Sequence, residues 1–368
     1  MTIYLDYNAS APLKPSVKAA IMTALDSVGN PASVHQAGRR ARAHLETARE
    51  EIARLVAVKP AQVILTSGGT EANNLAILPW SGTVLYSATE HDSVRAAINE
   101  NAIIVPVDGN GLIDLAALER LLMTAKPPIL LSVMLVNNES GVIQPYKAIA
   151  ALAKRAQARL HCDAVQALGK LPLDFAALGA DCLTLSAHKI GGPQGCGALI
   201  VAENLPLAPL VRGGGQEMRR RAGTENLLGI VGFGAAARAA HDDIALQATL
   251  RLWRDALEQA IQAEAPDAVF VGQGAERVAN TSCVIMPGAT SATQLMAYDL
   301  AGFAVSSGAA CSSGKVNPSH VLRAMGYDAN AADSAVRISL GWNTQSGDSA
   351  AFAANWVKHY RTTRLRAG

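Results

Sequence analysis

The chain has no marked excess of charge of either sign. Among its 368 residues, 32 Lys and Arg stand against 30 Asp and Glu, which gives a formal net charge of +2. This balance disfavours a protein that binds nucleic acid mainly through its phosphates, or a membrane through a basic patch. Half of the residues are hydrophobic, a fraction too high for a disordered chain. We therefore expect a folded protein that binds neither nucleic acid nor a membrane.

Long hydrophobic runs are also missing. The longest covers residues 127–136, which suits a buried strand, whereas a membrane-spanning helix takes about 20 apolar residues. The first residues lack the basic start and the apolar core of a signal peptide. Together these absences predict a cytoplasmic protein.

The five cysteines show no pairing pattern. Their number is odd and no two are spaced as Cys-x-x-Cys, so neither a disulfide framework nor a structural metal site is expected. Four are expected to be small buried residues, namely Cys162, Cys182, Cys196 and Cys283. The fifth, Cys311, lies among Gly, Ala and Ser at 306–314, which is typical of an accessible loop. An accessible thiol in a reducing cell suggests a nucleophile or a redox role, and the alternative is an incidental loop cysteine.

Short β-rich runs alternate with amphipathic helical stretches. Strands are predicted at 63–66, 83–86, 103–107, 129–136, 183–186 and 198–201, and helices at 16–27, 38–57, 147–159 and 244–263. This alternation predicts an α/β fold with a mostly parallel sheet covered by helices on both faces. The alternation weakens after about residue 240, which suggests a second, smaller domain.

Three local signals in the first region favour one chemistry. Residues 66–71 join a strand to a helix, where backbone N–H groups and the helix dipole suit a phosphate. Asp163 ends an apolar strand, and a buried carboxylate there needs a cation such as a protonated pyridine nitrogen. Lys189 follows another strand, where a buried lysine is costly unless it is paired or used covalently. Taken alone, each has a plain alternative: a βα turn, a helix-capping Asp, a surface Lys. Together they are the protein groups that bind pyridoxal phosphate.

Ordered motifs over nearly the whole chain extend this pattern. They lie at 4–9, 30–35, 66–74, 90–91, 137–139, 162–166, 186–189, 213–217, 221–226, 306–314, 319–322 and 336–341. In this set and order the sequence resembles the pyridoxal-phosphate-dependent cysteine desulfurases of the NifS/IscS type, within the class V aminotransferase family. The resemblance implies the PLP-dependent transferase fold type I, with a large domain at 13–245 and a smaller α/β domain formed by 1–12 and 246–368. It also implies a homodimer.

The resemblance further implies site roles. Lys189 would hold the cofactor covalently and move the substrate proton, Cys311 would accept the sulfur, and His91 would stack on the cofactor ring. Asp163 would pair with the pyridine nitrogen. The remaining cofactor ligands would be Gly69, Thr70, Asn138, Gln166, Ser186, His188 and, across the dimer, Thr224. Asn138 and Arg337 would bind the substrate, Arg337 through a bidentate pair with its carboxylate. Taken singly, His91, Asn138 and Arg337 have ordinary structural explanations, and only their co-occurrence supports these roles.

The implied reaction converts L-cysteine to L-alanine and leaves a persulfide on Cys311. The sulfur would pass to an acceptor protein, such as an Fe–S scaffold, or serve thio-modification. Three alternatives remain open at this point. The protein could be a selenocysteine lyase, another class V aminotransferase, or a non-catalytic sulfur-relay partner that keeps the fold.

Overall fold

The computed structural model describes residues 2–203, 205–307 and 318–367. Cys311 and its neighbours at 308–317 lie outside the described residues. The strands are β1 (Ile3–Tyr4), β2 (Val63–Thr66), β3 (Thr83–Ser87), β4 (Ile103–Val105), β5 (Ile129–Ser132), β6 (Arg159–Asp163), β7 (Cys182–Ser186), β8 (Gly197–Val201), β9 (Val269–Phe270), β10 (Thr281–Ile285), β11 (Phe303–Ala304) and β12 (Ala335–Ser339). The α-helices are α1 (Pro15–Ala24), α2 (Gln36–Leu55), α3 (Gly69–Ile77), α4 (Asp92–Arg95), α5 (Leu115–Thr124), α6 (Tyr146–Arg155), α7 (Phe175–Leu178), α8 (Leu227–Glu264), α9 (Ser291–Leu300), α10 (His320–Ala324), α11 (Ala329–Asp333) and α12 (Asp348–Ala367). Short 3-10 turns occupy Pro60–Gln62, Ala187–Lys189 and Glu217–Arg219.

A seven-stranded sheet forms the centre of the larger part of the molecule. Its strand order is β2-β8-β7-β6-β5-β3-β4. Five neighbouring strands, β7, β6, β5, β3 and β4, pair in parallel. Strand β8 runs antiparallel to both of its neighbours, β2 and β7. The predicted α/β class with a mostly parallel sheet is therefore confirmed. The carboxyl ends of the parallel strands meet at one edge, where open α/β sheets bind their ligands.

Both faces of this sheet are covered, as the pattern predicted. Val63 and Leu65 of β2 belong to one hydrophobic cluster, and Ile64 between them belongs to another. Successive strand residues point to opposite faces, so the two clusters lie on opposite sides of the sheet. The four cysteines expected to be buried are buried.

The smaller part of the molecule has a hydrophobic core of its own, which packs against two small sheets. It combines a three-stranded antiparallel sheet, β12-β10-β9, with the parallel pair β1 and β11. Its core includes Leu5, Leu250, Tyr298, Phe352 and Trp356. The long helix α8 belongs to both parts. Its first half packs in the core of the seven-stranded sheet, and its second half packs in the core of the smaller sheets. We propose that the domain division at 245/246 lies inside α8, and this change of cluster supports it.

The helix predicted at 244–263 begins earlier than expected, since α8 starts at Leu227. Its extra turns are rich in Gly and Ala, which gave no helical signal but allow close helix packing. A Cβ at Gly234 would lie 2.6 Å from the Ala48 Cα of α2. Strand β4 ends before Pro106, which has no N–H group for the ladder. No helix in the described part of the chain is long and apolar enough to span a membrane.

Candidate active site

A cavity of about 510 Å³ opens at the carboxyl edge of the parallel strands. Ten of the site residues predicted from the sequence line it: Gly69, Thr70, His91, Asn138, Asp163, Gln166, Ser186, His188, Lys189 and Arg337. Thr224 does not line this cavity and is exposed. Cys311 falls outside the described residues, and Ser306, five residues before it in the sequence, lines the cavity.

Lys189 projects its amine into this cavity from the 3-10 turn that follows β7. The Lys189 Nζ donates to the backbone oxygens of Asn8 at 2.7 Å and of Ala9 at 2.8 Å. Burial, together with the charge of Arg337, lowers the pKa of Lys189 to about 8. With such a pKa, a substantial fraction of the lysine is neutral near pH 7, and the neutral amine is the nucleophilic form.

Asp163 is the last residue of β6 and is 5% exposed. Its carboxylate accepts hydrogen bonds from Asn73 Nδ2 at 2.8 Å and from the Val165 backbone N–H at 3.0 Å. No Lys or Arg of the described residues forms an ion pair with it. A buried carboxylate that is oriented by two donors but lacks a cation is suited to a cationic ligand group.

The turn between β2 and α3 has the features of a phosphate cradle. Gly68 has a φ of +157°, and nothing lies within 4 Å of the position a Cβ would take. Gly69 opens α3, so its end of the helix presents unpaired N–H groups beside the cavity. His188 lines the same cavity, where burial and the charge of Lys189 lower its pKa to about 4. His188 is therefore neutral near pH 7.

Arg337 reaches the cavity from β12, in the smaller sheet, and is 4% exposed. It donates from Nη2 to Asp6 Oδ1 at 2.7 Å and from Nη1 to the Asn138 backbone oxygen at 2.9 Å. Its Nε is buried and has no hydrogen-bond partner among the residues that the structure describes. The guanidinium is thus held in place with donor capacity left over, as a carboxylate-binding group requires.

Several residues at the site were not assigned roles from the sequence. Asn8 and Asn73 line the cavity, and Ser93 bonds the Nδ1 atom of His91 at 2.8 Å. Glu90, next to His91 in the sequence, is fully buried, and Lys170 donates a hydrogen bond to the Gln166 side chain. The motifs at 4–9, 66–74 and 90–91 contain three of these residues, but their side chains act on other protein groups, which motif spacing does not show.

The class V aminotransferase family matches residues 3–352. The chain belongs to this family. It is 42% identical to a cysteine desulfurase of Cereibacter sphaeroides over 93% of this chain and 92% of that protein. It is 36% identical to an IscS-like cysteine desulfurase of Mycobacterium tuberculosis over 94% and 93%.

Solved structures give the same result. A NifS-like protein from Rickettsia africae superposes with a TM-score of 0.92 at 36% identity, covering 98% of this chain and all of that one. The predicted family and the predicted PLP-dependent transferase fold type I are therefore confirmed. Pyridoxal phosphate is the cofactor that this family implies.

The residues present fit that cofactor. The open turn at Gly68 and Gly69 offers N–H groups to a phosphate, Asp163 lacks a cation, and the amine of Lys189 faces the same cavity. These groups match three parts of the cofactor in turn: its phosphate, its pyridine nitrogen and its aldehyde. We conclude that this cavity is built for pyridoxal phosphate.

Proposed function

We propose that the protein is a pyridoxal-phosphate-dependent cysteine desulfurase, which converts L-cysteine to L-alanine and transfers the sulfur to Cys311. The observation that carries the proposal is the meeting of Lys189, Asp163 and Arg337 in one cavity. An amine, a cation-seeking carboxylate and a carboxylate-binding guanidinium are what a cofactor-dependent reaction of an amino acid requires. The similarity to cysteine desulfurases along more than nine-tenths of the chain supports the choice of substrate.

When bound, pyridoxal phosphate supplies an electron sink that stabilises negative charge at the substrate α-carbon. Asp163 would keep the pyridine nitrogen protonated, and Gln166 would donate to the ring hydroxyl. Arg337 would bind the substrate carboxylate, with Asn138 beside it. Lys189, whose pKa of about 8 permits both protonation states near neutral pH, would take and return the α-proton. His91, held by Ser93, would lie against the ring and assist proton transfer.

We assign the sulfur acceptor to Cys311. Its thiolate would attack the substrate sulfur, so that an S–S bond forms while the C–S bond breaks and its electrons stay with carbon, which is then protonated to give alanine. The other four cysteines are unsuited to this role, because burial raises the pKa of each thiol. Cys311 would then transfer the sulfur to an acceptor protein, such as an Fe–S scaffold, in the cytoplasm.

We further propose a homodimer in which Thr224 contacts the phosphate bound by the neighbouring subunit. Thr224 is exposed, and the segment that carries it is tied to the phosphate turn by Arg221, which bonds Glu71 Oε1 at 2.8 Å. Glu71 also accepts from the Ser67 backbone N–H at 2.8 Å. These bonds hold the segment at the edge of the site and leave Thr224 free to reach outward.

The test is to follow alanine release and the visible spectrum of the cofactor-loaded protein with and without L-cysteine. We expect alanine in proportion to the sulfur released, and no activity in the Lys189→Ala variant. Alanine formation from selenocysteine alone would instead support a selenocysteine lyase. Exchange of nitrogen between an amino acid and a keto acid, without alanine from cysteine, would support an aminotransferase. Failure of the protein to take up the cofactor would support a non-catalytic relay.

A further inference from the structure

Lys170 is a largely buried lysine beside the site with no role in the reaction described above. It comes four residues after Gln166, in the turn that follows β6. Its Nζ donates to Gln166 Oε1 at 2.7 Å and to Asn8 Oδ1 at 2.7 Å. It forms no ion pair within the described ranges. Burial and the nearby positive charges of Lys189 and Arg337 lower its pKa well below the usual lysine value. A lysine kept in such a place without an anion calls for an explanation.

The chemistry of a lysine amine settles the orientation of two side-chain amides. The Lys170 amine has N–H donors whether it is protonated or neutral, and both amides turn their oxygens toward it. The Gln166 oxygen is therefore held on Lys170, and its Nε2 is turned the other way, where it donates to the Asn8 backbone oxygen at 2.9 Å. An amide nitrogen carries two hydrogens. The second hydrogen is left for the cavity, which Gln166 lines.

The same argument applies to Asn8. Its Oδ1 is held by Lys170, so its Nδ2 is turned toward the Thr281 hydroxyl at 2.9 Å and the Asn138 backbone oxygen at 3.2 Å. That Asn138 oxygen also accepts from Arg337 Nη1 at 2.9 Å. The Asn8 backbone oxygen accepts from Lys189. Two chains of hydrogen bonds thus begin at Lys170, one through the Gln166 amide and one through the Asn8 amide.

We propose that Lys170 is a positioning residue that fixes the amides of Gln166 and Asn8, one directed at the cofactor and the other, through Asn138, at the Arg337 guanidinium. The proposal rests on the proposed function for the identity of the two ligands. The first branch would present an N–H donor to an oxygen on the cofactor ring. The second branch holds the group that would bind the substrate carboxylate. Removing the amine would leave the buried Gln166 oxygen unpaired and its amide free to reverse. It would also leave Asn8 Oδ1 with only the longer hydrogen bond from Asn280 Nδ2, at 3.2 Å, so the Asn8 amide would be held less firmly.

The test uses Lys170→Met, which keeps an unbranched chain as far as the Cε atom but removes the amine and its donors. Lys126→Met is the matched control, because Lys126 is exposed and has no side-chain hydrogen bond among the described residues. We expect the dissociation constant of pyridoxal phosphate from the apoprotein and the KM for L-cysteine each to rise about tenfold, which corresponds to about 1.4 kcal/mol. Lys126→Met should change neither. The cofactor constant is measured by titrating apoprotein and needs no turnover.

A double variant separates positioning from general damage. In a Gln166→Leu protein there is no amide for Lys170 to orient, so adding Lys170→Met should not weaken cofactor binding further. The KM should still rise in the double variant, because the branch through Asn8 remains. An additive loss in cofactor binding would overturn the proposal. Unchanged constants in Lys170→Met would overturn it as well.

The remaining outcomes are also decisive. If Lys170→Met does not fold, Lys170→Arg decides, since arginine keeps N–H donors. Constants within about threefold of the parent in Lys170→Arg support the proposal, and a rise of about tenfold or more, equivalent to 1.4 kcal/mol, overturns it. A parent protein that yields no alanine from cysteine would refute the proposed function, while the cofactor constants would still decide the role of Lys170.

Discussion

The lowered pKa of Lys189 leads to a quantitative prediction for the apoprotein. With a pKa of about 8 in place of 10.5, the neutral fraction of its amine at pH 7 is higher by about 300-fold. The shift comes first from burial and then from the charge of Arg337. Both causes act without the cofactor, so the reactivity of this amine is a property of the folded chain alone.

The assay is competitive labelling of the apoprotein with trace acetic anhydride over a pH series, read by mass analysis of the peptide that contains Lys189. We expect its labelling to rise with pH and reach its midpoint near 8, because only the neutral amine reacts. A lysine in a short unstructured peptide serves as the internal standard, with a midpoint near 10.4. Denaturing the protein should move the Lys189 midpoint toward that of the standard.

Replacing Arg337 with Met extends the test. The change removes a positive charge and leaves Asp6, its ion-pair partner at 2.7 Å, unpaired. Because Arg337 lowers the Lys189 pKa and Asp6 raises it, both effects should move the labelling midpoint to higher pH. A midpoint near 10 in the unmodified protein would refute the reasoning, and so would a shift to lower pH in the variant.

Three further substitutions test other parts of the account. Glu217→Gln should lower the free energy of unfolding in urea by about 3 kcal/mol, because it breaks the buried pair between Arg49 and Glu217 at 2.8 Å and leaves Arg49 only the partly exposed Glu46 at 3.1 Å. Arg337→Lys should lower kcat/KM for cysteine by about 10- to 100-fold, mainly through KM, since lysine cannot form the bidentate pair. Glu90→Gln should keep kcat/KM at pH 7 within about threefold of the parent, because burial and the charge of Asp163 raise the Glu90 pKa and so favour the neutral form that a Gln side chain resembles.

Each of these predictions has a result that would contradict it, and the first also has a control variant. Glu203→Gln removes an exposed ion pair with Lys59 and should change the free energy of unfolding by less than about 1 kcal/mol. An equal effect at both glutamates would argue against a special role of burial. An unchanged KM in Arg337→Lys would show that Arg337 does not bind the substrate carboxylate. A large loss in Glu90→Gln would mean that Glu90 works as an anion.

Much of the fold could be predicted because buried parallel strands leave a simple signal. The runs at 63–66 and 183–186 match β2 and β7 to within one residue. The start of α8 could not be predicted, since its first turns are a Gly- and Ala-rich stretch whose helical form depends on packing against α2. Local propensity is weak there, and tertiary contact decides.

The site shows a similar division. Lys189 and Asp163 could be predicted, because a charged residue at the end of an apolar strand stands out in the sequence. Their supports could not be predicted in the same way, since the roles of Asn8 and Lys170 depend on contacts between segments about 160 residues apart. The amide of Asn73 likewise meets Asp163 from a different element. Such contacts follow from topology, and only the structure shows them.

The most direct test of the proposed reaction is the mass of the Cys311 peptide after the cofactor-loaded protein has been incubated with L-cysteine and alkylated. The account predicts one added sulfur on that peptide, formed together with alanine, and no alanine from Cys311→Ala when no external thiol is present. Alanine release by Cys311→Ala at the parent rate under those conditions, or the added sulfur on another cysteine, would contradict it.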